Sequence, residues 1–469
     1  MGTMRTLRLV SALLAAAPLV VAVAGCGDGL SSIFGGGDDD KGGGNEGDPT
    51  QSFGGGDGGK KGPCVGLECK QVDCAGAPST TLSGKVFDPS GTVPLYNAIV
   101  YVPNAPVDPF VPGVSCDRCA TAPSGKPVVT ALTDAKGEFV LKDVPVTDNL
   151  PVVIQIGRWR RQITVPTVPK CTDTKLDASL THLPRKKSEG DIPQIGITTG
   201  GADSLECFLR RIGLDDSEFT NPGGAGRVHL YQGLNSEGGN QNGSRIDGST
   251  PAAATLWNAA DALKKYDMLI LSCEGSENNN TKSQAARQNL LEYMNAGGRV
   301  FASHFHYTWI KNGAQPLPTV ASWVNNSNDP ATAMKINTKF AKGQALADWL
   351  VNVGASTKNG DITMTELRKN VTTVNEASSL QWIYEPAAPS TKYFSFNNPI
   401  GKPAEEQCGR TVYTDIHVSG SNSAGGTFPG NCKSQPLSPQ EKALLFLMMD
   451  LASCIQDDSK PPTPPPVVR

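Results

Sequence analysis

Beyond its first 25 residues the sequence lacks any run of about eighteen apolar residues, the length a helix needs to cross a bilayer. Everything after that point is expected to be soluble. An excess of one charge is lacking too: 42 Lys and Arg stand against 45 Asp and Glu, for a net charge of −3. So even a balance gives no electrostatic reason to expect nucleic acid or an anionic membrane face as partner. Apolar residues make up only 38% of the chain and aromatics 6%. The shortfall is concentrated in the terminal segments, so the middle can still build cores. Histidine is scarce, five in 469 residues. The Gly-rich turn Thr199-Gly200-Gly201 lacks the spacing of a dinucleotide or P-loop fingerprint.

What the chain does have begins at its N-terminus. Arg5 and Arg8 precede an apolar run over residues 9–24, interrupted by Pro18, which reads as a secretory leader. The run ends in Val23-Ala24-Gly25-Cys26, which resembles the lipobox of bacterial lipoproteins. The resemblance implies removal of residues 1–25 and a diacylglyceryl group on the Cys26 thiol, anchoring the protein in a cell envelope membrane, periplasmic or surface-exposed. Residues 27–62 are mostly Gly, Asp, Lys, Asn and Ser and carry too little apolar surface to offset chain entropy. They read as a tether with a reach of roughly 30 Å.

Twelve cysteines suit an exported chain, where disulfides persist. With Cys26 lipidated, eleven remain, so at least one thiol is unpaired; Cys273 is the candidate. Cys64, Cys69 and Cys74 cluster in a lead-in over residues 63–80. Cys408 and Cys432 flank a Gly/Ser-rich loop that a bridge between them would staple. Cys116 and Cys119 form a Cys-x-x-Cys pair, but no second pair accompanies it, so structural disulfides are favoured over zinc or redox chemistry.

Over residues 81–183 short alternating strands recur between turn signals, the pattern of an all-β sandwich. The phrases Ser83-Gly84-Lys85-Val86-Phe87-Asp88-Pro89-Ser90-Gly91, Asn97-Ala98-Ile99-Val100-Tyr101-Val102 and Thr133-Asp134-Ala135-Lys136-Gly137-Glu138-Phe139 resemble the carboxypeptidase regulatory-like, transthyretin-like domains. That implies a spacer or adhesive module. Over residues 191–455 strands and helices alternate, the grammar of a three-layer α/β domain with an open, mostly parallel sheet. Asp203 with Glu206 reads as a capping box, and Ser438-Pro439-Gln440-Glu441 as another. Residues 456–469 read as a solvated Pro-rich tail.

Ligands of such sheets bind beyond the carboxyl ends of the strands, and four strand ends carry reactive groups. Gly200, Gly201 and Asp203 offer either an anion cradle at a helix N-terminus or a plain tight turn. Cys273 beside Glu274 offers a nucleophile, although a neighbouring carboxylate raises a thiol pKa; a half-buried structural cysteine is the simpler reading. His304 and His306 would share a face if their strand continued, as a metal-binding pair does; otherwise one packs under aromatics and the other is solvated. Asp415 and His417 have the spacing for a carboxylate orienting an imidazole base, and also that of any solvated strand end.

Three phrases at these ends, over residues 266–275, 297–304 and 409–417, resemble the trehalose-utilisation (ThuA-like) family within the class I glutamine amidotransferase-like superfamily. In amidotransferases a cysteine stands at the elbow where this chain has His304, so their nucleophile chemistry is not implied. Two functions follow as expectations: a non-catalytic envelope protein whose head binds a saccharide, or a sugar-processing enzyme built on His304, His306 and His417 with Glu274 or Asp415 as acid/base partner. A divalent metal enters only if three such side chains converge. Arg158-Trp159-Arg160-Arg161 is expected to fix one domain on the other through residues 189–191. Trp257, Trp309, Trp349 and Trp382 are expected in the core.

Overall fold

The computed structural model describes residues 63–234, 243–325, 327–418 and 425–467. The leader, Cys26 and the linker lie outside the described residues. Among the described residues no helix is long and apolar enough to cross a membrane.

The first part of the chain is built from β1 (Thr81–Lys85), β2 (Ile99–Pro103), β3 (Pro127–Leu132), β4 (Glu138–Lys142), β5 (Asp148–Ile156), β6 (Trp159–Thr167) and β7 (Asp173–Lys175). They form a three-stranded sheet, β4-β1-β7, and a four-stranded sheet, β3-β2-β5-β6. Strict alternation in β4, with Phe139 and Leu141 buried between exposed neighbours, shows why a period of two puts one face inward. The Asp134 turn before it forms as the sequence predicts: Asp134 Oδ1 accepts the Lys136 and Glu138 N–H groups at 2.8 and 2.9 Å.

The second part comprises β8 (Ile195–Thr199), α1 (Leu205–Arg211), β9 (Phe219–Thr220), β10 (Val228–Gln232), α2 (Ala254–Trp257), α3 (Ala260–Leu263), β11 (Met268–Leu271), α4 (Gln284–Asn295) and β12 (Arg299–Ser303). There follow α5 (Thr308–Lys311), β13 (Ala321–Trp323), β14 (Ala333–Ile336), α6 (Ala341–Asn352), β15 (Asp361–Thr363), β16 (Val371–Val374), β17 (Ser379–Glu385), β18 (Ser390–Asn398), β19 (Gly409–Thr414) and α7 (Pro439–Ala452). One ten-stranded sheet runs β15-β14-β17-β18-β19-β12-β11-β8-β10-β9. From β9 to β19 the pairings are parallel; β18, β17, β14 and β15 extend it with antiparallel pairings. The antiparallel wing makes the sheet more mixed than the sequence pattern implies.

Alternate residues of the central strands enter two apolar clusters. Met268, Ile270 and Phe301 join one cluster, with α1, α7 and the sandwich core. Leu269, Leu271, Val300 and Ala302 join the other, with α4. Both sheet faces are therefore buried, which is why β11 reads as an unbroken apolar run. The four tryptophans lie in these clusters, as expected.

The sandwich and the large sheet are fastened together at several points. Arg158 pairs with Asp267 at 2.7 Å and Arg160 with Asp191 at 2.8 Å, the bridging role expected of the basic patch. Gly157 (φ +53°) brings the β5–β6 turn so near the end of α7 that a Cβ there would lie 1.8 Å from the Ala452 carbonyl oxygen. Disulfides complete the join: Cys116 bonds Cys408 and Cys119 bonds Cys454, while Cys207 bonds Cys432. This corrects the expected Cys408–Cys432 staple. The Gly/Ser-rich loop is anchored at its two ends to different elements, and the Cys-x-x-Cys pair diverges to two partners. Cys64–Cys69 and Cys74–Cys171 close the lead-in.

Two further expectations change. Ser204, not Asp203, precedes the first turn of α1, and Glu206 is buried against Ser244 rather than closing a capping box. The Ser438 capping box of α7 forms as predicted. The C-terminal segment is not simply solvated: Thr130 Oγ1 donates to the Pro465 carbonyl at 2.8 Å, and Pro465 is buried.

Asp458 in that segment completes a buried ionic cluster. Fully buried Arg410 of β19 pairs with Asp450 of α7 at 2.6 Å and with Asp458, and Lys342 of α6 reaches both carboxylates at 2.8 and 2.9 Å. Burial alone would raise the Asp458 carboxyl, yet Arg410 and Lys342 hold it well below the ordinary aspartate range. Arg410→Met, which leaves two carboxylates to share Lys342 alone, is expected to cost about 3–5 kcal/mol in urea denaturation. Because the folded carboxyl is depressed, its contribution is fully present above about pH 4 and lost as pH falls below it. The stability gap between wild type and Asp458→Asn should therefore hold from about pH 7 to about pH 4 and shrink only below it.

Candidate functional site

Three adjacent parallel strands, β11, β12 and β19, end side by side, and the chain beyond each delivers one side chain to a common point. Cys273 Sγ lies 3.4 Å from His304 Nδ1 and 3.6 Å from His417 Nε2, and the two ring nitrogens are 2.9 Å apart. Cys273 and His304 are buried, while His417 keeps 12% of its side chain exposed. Among the described residues Cys273 is the one free thiol, as expected.

The turn geometry explains which histidine reaches the point. The strand does not continue past Ser303; residues 304–307 wind into a 3₁₀ turn with His304 at φ +36°. A left-handed histidine costs of order 1–2 kcal/mol unless its surroundings hold it. The Tyr413 hydroxyl, 3.1 Å from the His304 carbonyl oxygen, is one such hold. The turn also separates His304 from His306, so the shared face does not exist. His306 Nε2 faces the Ser272 carbonyl at 2.8 Å, and its Nδ1 accepts from the Trp309 indole at 3.1 Å. Burial lowers its pKa to about 4, leaving a neutral ring packed under an aromatic.

Asp415 does not orient His417. Its Oδ2 accepts the backbone N–H groups of Asn370 and Val371 at 2.6 and 3.1 Å, tying the start of β16 to the end of β19. Burial raises its pKa to about 6. The groups that do flank His417 Nδ1 are Arg368 Nη2 at 3.3 Å and Glu366 Oε2 at 3.6 Å. Burial, then the Arg368 charge, lowers the His417 pKa to about 4. The sequence pattern missed both flanking residues, since they lie on an irregular stretch between β15 and β16 with no motif around them.

Glu274 also turns away from the cluster. Its Oε2 pairs with buried Lys282 at 2.7 Å and accepts from Asn278 at 3.1 Å. Burial opposes its charge, but His306 and Lys282 together hold its pKa below the usual value. Burial, reinforced by Asp203, pushes the Cys273 thiol up, so the protein by itself does not make it a thiolate nucleophile.

The Gly200-Gly201 turn serves the same strand end. The N–H groups of Ala202 and Asp203 donate to the Cys273 carbonyl at 3.0 and 3.3 Å, so these two donors are committed rather than offered to an anion. Asp203 Oδ2 accepts from Ser303 Oγ, joining the turn to β12. A Cβ on Gly200 would lie 2.0 Å from the Cys273 carbonyl oxygen, so the close approach requires glycine.

Two measurements follow. Gly200→Ala should lower the melting temperature by several degrees, since backbone must shift by a distance that costs about 1–3 kcal/mol. In the Cys26→Ser full chain, Cys273 should resist a water-soluble thiol reagent in the native state and react once unfolded.

Neither a protein-family model nor a curated protein matches this sequence. The chain is similar to two solved chains from mutant type II cohesin–X-dockerin complexes of Acetivibrio cellulolyticus. For the C-terminal interface mutant the identity is 19% and the TM-score 0.16, covering 31% of this chain and 78% of that one. The N-terminal interface mutant gives 17% and 0.16, covering 30% and 75%. At those scores the likeness bears on neither the fold nor the site.

Proposed function

We propose that the chain is a membrane-tethered envelope protein: a lipid on Cys26, a linker over residues 27–62, a carboxypeptidase regulatory-like sandwich, and a three-layer, ThuA-like α/β head that binds rather than turns over its ligand, with a saccharide as ligand class. The observation that carries the binding reading is the engagement of three of the acid/base candidates at the strand ends. Glu274 is ion-paired, Asp415 holds backbone amides and His306 is packed in the core. The five disulfides among the described residues support an oxidising, extracytoplasmic location.

A second reading, a sugar-processing enzyme, keeps one specific observation in its favour: His304 and His417 do converge. Incubating purified protein with trehalose and with an oxidised disaccharide separates the two. Saturable binding without product is expected, whereas turnover abolished by His304→Ala would make the enzyme reading the correct one. For the tether, expression in a Gram-negative host with labelled palmitate should give label in the membrane fraction for the wild type. Cys26→Ser should carry no label and leave that fraction; label retained on the variant would refute lipidation at this residue.

A further inference from the structure

We infer that Cys273, His304 and His417 form a binding site for one transition-metal cation of the zinc class. The three donor atoms come from three consecutive strand ends, and all lie within 4.8 Å of one another. Zinc bonds of about 2.3 Å to sulfur and about 2.0–2.1 Å to imidazole nitrogen set tetrahedral ligand atoms about 3.5 Å apart for S···N and about 3.4 Å for N···N. The two sulfur–nitrogen separations, 3.4 and 3.6 Å, already match. The nitrogen–nitrogen separation of 2.9 Å needs only a small opening of the two rings.

The donor set is chemically selective. One thiol with two imidazoles is soft to borderline, which disfavours calcium and magnesium and favours zinc or copper. Surrounding groups orient the ligands as metal sites require. His417 Nδ1, the ring nitrogen away from the cluster, has Arg368 Nη2 at 3.3 Å and the Glu366 carboxylate at 3.6 Å, and the Tyr413 hydroxyl holds the His304 backbone. Gly275 N–H, 3.4 Å from Cys273 Sγ, adds a donor suited to a thiolate.

Three protein donors leave a fourth position for an oxygen ligand. Cys273 and His304 are buried, so that position is approached from the His417 side. A saccharide hydroxyl or carboxylate reaching it would complete the coordination. The cation site itself depends on neither the lipid anchor nor the saccharide, so each stands or falls separately.

The test uses the Cys26→Ser full chain, purified without a metal-affinity tag and stripped with chelator. Titration with Zn²⁺ against a chromophoric chelator should give one equivalent bound. Co²⁺ should produce a thiolate-to-cobalt charge-transfer band together with an intense tetrahedral ligand-field band. Cys273→Ser should lose the charge-transfer band, and His304→Ala or His417→Ala should weaken zinc binding by about 100-fold or more. His182→Ala, on the sandwich, should bind as the parent does. Should a cluster variant fail to fold, zinc-edge X-ray absorption of the parent reads the donor set directly as one sulfur and two imidazole nitrogens. Absence of stoichiometric zinc, or a bound ion without sulfur in its shell, would overturn the assignment.

Discussion

A guanidinium buried at the start of β19 is the constraint from which much of this architecture follows. A charge taken out of water is tolerated only when its partners are held in place, and removing one partner leaves an uncompensated ion. Arg410 draws its partners from α7 and from the segment after it, and Lys342 of α6 shares both carboxylates. One strand, two helices and the C-terminal segment are thereby fixed in one arrangement. β19 also ends in Asp415 and His417, so the cluster that secures the back of the sheet sets the position of the groups at its front.

The strand-end site shows how polar side chains are divided between architecture and chemistry. Asp203, Glu274 and Asp415 look from their spacing like acid/base groups, yet each is engaged by a neighbouring element: Ser303, Lys282 and the β16 backbone respectively. What remains pointed at a common space is one sulfur and two imidazoles. The bracing is what makes the convergence rigid, since His304 sits in a conformation that its neighbours must hold.

Much of the fold was legible because it rests on local rules. A continuous apolar run marked β11, the Ser438 box marked α7, and an odd cysteine count pointed to Cys273. Other features rest on geometry that only the assembled chain has. Disulfide partners are set by which loops meet, so proximity in sequence misled at Cys408 and Cys432. His304 and His306 looked paired because a strand alternates sides every residue, and the chain leaves the strand at His304. The antiparallel wing includes the long strands β17 and β18, and whether a strand pairs parallel or antiparallel is set by which strands meet, not by its own residue pattern. Arg368 and Glu366 carry no pattern at all; their place beside His417 comes from the antiparallel bridge between Leu367, ahead of β16, and Ile416, just past β19.

The two long disulfides impose an order on how the molecule is made. As the chain emerges from the ribosome, Cys116 and Cys119 have each other as nearest thiol neighbours, three positions apart. Their native partners arrive 292 and 335 residues later, Cys454 just after the last helix. The sandwich can therefore take shape early, but its Cys-x-x-Cys loop must stay reduced, or be reopened by thiol exchange, until Cys408 and Cys454 have been made. Maturation is thus a late locking event, in which the residues after α7 return to seal the sandwich against the large sheet.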